Sequence, residues 1–176
     1  MAMFSRRRTS STPLDGVDAV LADLDGVVYA GAGALPWAVE SLSALGERRL
    51  GFITNNASRT DEAVAEHLRE LGLATQASDV VTSPQAATRL LRTRVEPGAT
   101  ILVVGGEGLV VELENAGYAV TRSAEDSPAA VVQGFAPDVG WKQLAEAAFA
   151  LKTPEDEGGI PWIATNTDWT IPQARG

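Results

Sequence analysis

The sequence predicts an α/β fold built on parallel strands, and three observations predict it. Short apolar runs recur along the chain, as in VDAVLA (17–22), LGFIT (50–54) and ILVV (101–104). Stretches with apolar residues at helical spacing separate them, and Gly, Pro or hydroxyl residues mark each change. Strands that alternate with helices in this way are joined by crossovers, which force parallel pairing.

The elements follow in order. Residues 17–22 form a partly β-branched run between Gly16 and Gly26, which suits a strand buried in a parallel sheet. Gly31, Gly33 and Pro36 then break the chain. Trp37, Val39, Leu42 and Leu45 recur at helical spacing, with Pro36 at the first turn and Gly46 placed to stop the helix. Residues 50–54 are the second strand. Thr60, followed by Asp61 and Glu62, has the chemistry of a helix start, and Val64, Leu68 and Leu71 share one face before Gly72 ends it.

Val80 and Val81 make a short third strand, and residues 82–84 (Thr, Ser, Pro) read as a hinge. Beyond it the pattern predicts helix 84–91, strand 101–104, helix 107–116, strand 130–132, helix 141–151 and strand 162–164. The organisation expected is a loose tail (1–15), a first unit (16–82) and a second α/β unit (83–176).

Composition narrows the function. With 23 acidic against 14 basic residues the net charge is −9, which argues against a nucleic-acid partner. The absence of cysteine excludes disulfides, thiolate zinc sites and a cysteine nucleophile. His67 is the sole histidine, and its charged helical neighbours place it facing solvent. Arg6, Arg7 and Arg8 are not followed by the apolar run of a signal peptide, and no stretch reaches the roughly 20 apolar residues of a membrane span. A cytoplasmic protein without a membrane partner is expected.

The chemistry concentrates at Asp23-Leu24-Asp25-Gly26-Val27, where two carboxylates stand at the carboxyl end of a strand, the place where α/β sheets put ligands. Paired carboxylates there call for a metal ion or a specific network, and a hard cation such as Mg²⁺ prefers oxygen donors. A calcium loop is the rival for Asp-x-Asp-Gly, but Val27 stands where that loop needs an oxygen ligand. The second strand runs into Thr54, Asn55 and Asn56, which in isolation reads as a strand end and turn. Gly105, Gly106, Glu107 and Gly108 lack the full dinucleotide-loop spacing and read as a strand-to-helix turn, and residues 155–157 read as a solvated acidic loop.

Asp-x-Asp-Gly-Val after an apolar strand resembles the first signature of the haloacid dehalogenase-like phosphatases. Thr-Asn-Asn at 54–56 resembles their second, in the form typical of the p-nitrophenylphosphatase and NagD-like branch, which also includes glycerol-3-phosphate and phosphoglycolate phosphatases. VVTSPQAA (80–87) and IATNTD (163–168) extend the likeness over nearly all of the chain after Gly16. The resemblance implies a Rossmann-like core with an inserted α/β cap and a Mg²⁺-dependent phosphatase acting on a small phosphorylated metabolite. It implies Asp23 as nucleophile, forming an aspartyl-phosphate, and Asp25 as acid and then base. Mg²⁺ would be held by the Asp23 carboxylate and the Asp25 backbone carbonyl. Thr54, Asn55, Asn56 and the amides around Asp25 and Gly26 would bind the phosphate, while Asp168 and Arg175 would face the substrate.

In relatives of this kind the cap also mediates dimerisation, so Trp141 and Trp169 suit either a homodimer surface or the core. The family's later lysine and acidic Mg²⁺ motif are absent: Lys142 and Lys152 are the only lysines, and both fall at cap-helix positions. This chain is therefore expected to be a fragment, inactive alone: either a truncated or cleaved chain, or one half whose core a second fragment completes. The rival reading is a non-catalytic protein of the same fold that binds phosphate or Mg²⁺.

Overall fold

The computed structural model describes residues 12–168. Arg175, Trp169 and the three N-terminal arginines lie outside those residues. In the first part of the chain the order is β1 (Ala19–Asp23), β2 (Tyr29–Ala30), β3 (Gly33–Ala34), α1 (Ala38–Ser43), β4 (Arg49–Thr54), α2 (Asp61–Glu70) and β5 (Val80–Thr82). Strands β1, β4 and β5 form a parallel sheet in that order, with Asp23 opposite Ile53 and Thr54 opposite Thr82. The tips of all three strands therefore lie at one end of the sheet. β2 and β3 make a small antiparallel hairpin in the stretch read from sequence as a break.

Local chemistry explains the helices. Thr60 accepts the Ala63 N–H through Oγ1 at 3.2 Å, and Asp61 and Glu62 stand at the positive end of the α2 dipole. α2 turns Val64, Ala65 and Leu68 onto Phe52, Ala22 and Val80, and α1 adds Val39 and Leu42 to the same face of the sheet. Trp37 adopts φ 68° and caps α1 from outside rather than joining its buried face, so the helix begins one residue later than its apolar spacing predicts.

The second part comprises α3 (Ser83–Leu91), β6 (Thr100–Val104), α4 (Glu107–Asn115), β7 (Ala119–Thr121), β8 (Ala130–Gln133), α5 (Trp141–Ala150) and β9 (Trp162–Ala164). The parallel sheet has the order β7-β6-β8-β9. A reciprocal pair of hydrogen bonds between Thr82 and Gln85 starts α3. Helices α3 and α4 cover one face through Ala87, Leu91, Leu109 and Leu113, and α5 covers the other through Ala147. Strand β7 falls in the stretch between helix 107–116 and strand 130–132, to which the sequence pattern assigned no element.

Three expectations need correction. β1 is not buried on both faces: Leu21 is 70% exposed, because α1 and α2 lie on the same side of the sheet. His67 does not face solvent. Its side chain is 13% exposed and meets the Tyr29 ring edge-on, with centroids 5.0 Å apart, while Nδ1 lies 3.5 Å from Glu70. Residues 155–157 are exposed but form a short 3₁₀ turn, where Glu155 pairs with Arg94 at 2.9 Å. Among the described residues no helix is long and apolar enough to cross a membrane.

Candidate active site

The peptide after β1 folds back at once. The Leu24 carbonyl accepts the N–H groups of Val27, Val28 and Tyr29, and Gly26 takes φ 81°, a conformation open to glycine at little cost. The Gly26 N–H donates to the Tyr29 carbonyl at 2.8 Å. The Gly26 amide, expected at the phosphate, is thus engaged within the turn in this structure, and the glycine serves the turn geometry. The turn brings Asp25 back beside the strand end, where it forms an isolated bridge with Tyr29.

Asp23 and Thr54 line one open cleft of about 360 Å³, together with Asn55, Thr82, Ser83 and, from the end of β9, Thr165. Asp23 accepts the Leu24 N–H at 2.8 Å through Oδ1. Thr54 is buried and accepts the Asn56 N–H at 3.0 Å, which leaves its hydroxyl proton for an anionic acceptor. A larger hollow of about 600 Å³ lies between residues 121–123 and the start of α5, which lines it with Lys142, Gln143 and Glu146. Size is a poor guide here. The smaller cleft holds a carboxylate and a buried hydroxyl at the carboxyl ends of parallel strands, where such sheets take ligands.

Asp25 is half-buried, and its carboxyl is held above the ordinary aspartate range, first by burial and then by the negative charge of Asp23. Arg59, a hydrogen bond from Thr54 and His67 act in the opposite sense. The Tyr29 hydroxyl is pushed up to about 12, again by burial first and by Asp25 next. The two carboxyls and Thr54 thus share one electrostatic neighbourhood, although Asp25 does not itself line the cleft.

Asn55 and Asn56, expected at the substrate, are tied into the protein. Asn55 Nδ2 donates to Asp168 Oδ2 at 2.8 Å, and its carbonyl accepts from Ser83 Oγ at 2.9 Å and Asn166 Nδ2 at 3.0 Å. Asn56 Oδ1 accepts both the N–H and the hydroxyl of Ser58. Asp168 therefore reaches the site region through Asn55. Sequence reasoning missed Ser83, Arg59 and Thr165. Ser83 had a signal, since it stands at the tip of a strand neighbouring β4. Thr165 lay inside the IATNTD stretch without a role assigned to it, and Arg59 had no signal, because only folding brings it near Asp25. Among the described residues no group of three or more His, Cys, Asp or Glu side chains is gathered for a metal.

Comparisons with known proteins agree on one family. The model of a family described as haloacid dehalogenase-like hydrolase matches residues 20–119. The D-glycerol 3-phosphate phosphatase of Mycobacterium tuberculosis is 46% identical over 159 residues, which cover 90% of this chain and 43% of that protein. An acid sugar phosphatase of Staphylococcus epidermidis is 32% identical over 160 residues, 90% of this chain and 59% of that protein. The crystal structure of the M. tuberculosis glycerol phosphate phosphatase in complex with magnesium superposes with a TM-score of 0.82 at 46% identity, covering 91% of this chain and 47% of that one. The chain thus spans about half the length of the relatives it matches.

Proposed function

This chain belongs to the haloacid dehalogenase-like hydrolases, and from that premise we propose that it carries the nucleophile of a Mg²⁺-dependent phosphatase. The substrate is a small phosphorylated metabolite, glycerol 3-phosphate or 2-phosphoglycolate. The observation that carries this reading is the meeting of Asp23 and Thr54 in one cleft at the tips of adjacent parallel strands. The relatives named for glycerol 3-phosphate and acid sugars support the substrate class. Residues 16–82 form the catalytic unit, and 83–176 form a cap over it.

Asp23 attacks phosphorus, the bond from phosphorus to the ester oxygen breaks, and Asp25 in its acid form donates a proton to the departing oxygen. Water then attacks the aspartyl-phosphate while Asp25 takes its proton, releasing phosphate and restoring Asp23. The raised pKa of Asp25 supports this role, because it favours the protonated form needed first. Thr54 turns its hydroxyl proton from the Asp25 carboxyl, which it meets in the free protein, to a non-bridging phosphate oxygen once Asp25 is protonated. Asn55, Asn56 and Asp168 act by holding the strand-tip loop in place.

The donor chemistry fits Mg²⁺. An Asp23 carboxylate oxygen and the Asp25 carbonyl are hard donors, and Mg²⁺ keeps waters and shares phosphate oxygens rather than requiring an all-protein cage. A relative's structure contains magnesium, which supports the same ion here. When bound, the ion supplies positive charge that offsets the repulsion between carboxylate and phosphate dianion. The bare face of the first sheet supports a further polypeptide segment, in the same chain or a second one, that completes the unit. Trp141, 83% exposed on α5, supports a homodimer through the cap.

One observation favours the non-catalytic reading: Lys142 lines the other hollow, and no lysine lines the Asp23 cleft among the described residues. Phosphate release from a panel of esters by the full-length protein, with Asp23→Asn as control, separates the two. Release that survives the substitution removes Asp23 as nucleophile. Binding of Mg²⁺ and inorganic phosphate without release from any ester selects the non-catalytic protein.

A further inference from the structure

The glycine-rich turn at 105–108, which lacks nucleotide-loop spacing, has another service in the fold. β6 pairs with β7 on one side and with β8 on the other, so the winding of the second sheet reverses between β6 and β8. The crevice at the carboxyl ends of two such strands is where an α/β sheet takes a ligand. Here the chain itself fills it. Residues 57–59, which follow Thr54, Asn55 and Asn56 of the first sheet, sit against three glycines of the second.

The approach is close enough to require glycine. A Cβ at Gly134, just after β8, would lie 2.9 Å from the Ala57 Cβ. One at Gly106, after β6, would lie 3.3 Å from the Ser58 Cα, and one at Gly108 would lie 2.5 Å from the Arg59 carbonyl oxygen. Gly108 is the second residue of α4, and the close approach of Arg59 accounts for a glycine there. Its N–H also reaches the Ser58 carbonyl at 3.4 Å, and Ala57 is 1% exposed.

From this contact a run of hydrogen bonds returns to the cleft. Ser58 donates to Asn56 Oδ1 from its N–H at 2.9 Å and its hydroxyl at 2.7 Å, and the Asn56 N–H donates to Thr54 Oγ1 at 3.0 Å. We propose that Gly106, Gly108 and Gly134 form a clasp that seats residues 57–59 in the second sheet and so positions the Thr54 hydroxyl for phosphate. They are positioning residues: none touches the cleft that holds Asp23. The geometry stands without the phosphatase reading, while its consequence for phosphate rests on that reading.

The test uses Gly134→Ala in the full chain, with Ala57→Gly added as repair because it removes the nearest group that the new Cβ meets, at 2.9 Å, and leaves the Thr165 hydroxyl, at 3.2 Å, as a contact shared by both variants. Hydrogen exchange of amides 55–59, affinity for inorganic phosphate with Mg²⁺, and melting temperature are measured on each protein. Gly134→Ala is expected to speed exchange at 55–59 and weaken phosphate by roughly tenfold, as a displaced binding group does. Amides of β6 and β8 should keep their protection, and the repaired variant should recover most of both losses.

Should Gly134→Ala fail to fold, Gly106→Ala, with its milder 3.3 Å contact, is read by the same exchange and phosphate measurements. Unchanged exchange at 55–59 in a folded variant, faster exchange with unchanged phosphate affinity, or losses that Ala57→Gly leaves in place would each overturn the clasp. If the unsubstituted chain does not bind inorganic phosphate, the functional reading falls, and the exchange measurements alone still decide whether the clasp exists.

Discussion

β4 at the centre of the first sheet and β6 within the second are both apolar strands with a parallel neighbour on each side. Along β6, Ile101 and Val103 lie under α3 and α4 while Leu102 and Val104 lie under α5, so both faces are closed. Along β4, Phe52 is buried under α2, whereas Ile53 stands 42% exposed beside Leu21 and Val81. The second sheet closes its own core, and the first leaves an apolar face bare at the end that carries Asp23. Stability and chemistry are therefore assigned to different sheets. The site sits on the sheet with less apolar surface removed from water, the less stabilised arrangement per residue.

Four experiments break or sharpen this contrast. The largest effect is chemical: in the full-length protein Asp23→Asn should lower phosphate release by at least about 10³-fold, as loss of a nucleophile does, while leaving the urea midpoint of the second sheet in place. Next comes a matched pair of core truncations. Leu113→Ala, at a residue with no exposure, should cost about 2–5 kcal/mol in urea unfolding. Leu21→Ala should stay within about 0.5 kcal/mol. A large loss at Leu21 would mean that the bare face is covered in solution, and the contrast between the sheets would vanish.

Thr54→Ala should weaken inorganic phosphate binding roughly ten- to hundredfold, the range for a hydrogen bond to a charged group, and calorimetric titration measures it. The smallest effect is pH-dependent. Asp25 binds its proton more tightly folded than unfolded, so its contribution is fully present below the ordinary aspartate pKa and is lost as pH rises through the higher folded value. Asp25→Asn removes that loss. Its melting temperature should exceed that of the unsubstituted protein at neutral pH, and the difference should disappear in acid. A gap that persists at low pH would assign the effect to packing rather than to ionisation.

The site was legible where a residue's job depends on its place at a strand end. Asp23 and Thr54 could be paired because one crossover separates two apolar runs, and parallel pairing puts both tips at the same end. Asn55 and Asn56 were assigned to the substrate on type and position, yet their side chains are engaged by Asp168 and Ser58. The Gly26 N–H likewise has a partner within the protein, a carbonyl three residues on. His67 was misplaced because its helical neighbours are charged, and nothing in that pattern reports the Tyr29 ring arriving from the hairpin.

By itself the sequence determined the alternation of strands and helices, the cap at Thr60, and the two carboxylates at a strand tip. Those features depend on periodicity and on hydrogen bonds between near neighbours, which a linear pattern records. Tertiary structure alone decided that α1 and α2 share one face, that residues 57–59 lie in the glycine crevice, and that Thr165 joins Asp23 in the cleft. Each of these is a contact between groups distant in sequence, set by how whole elements pack, and no local run of residues encodes it.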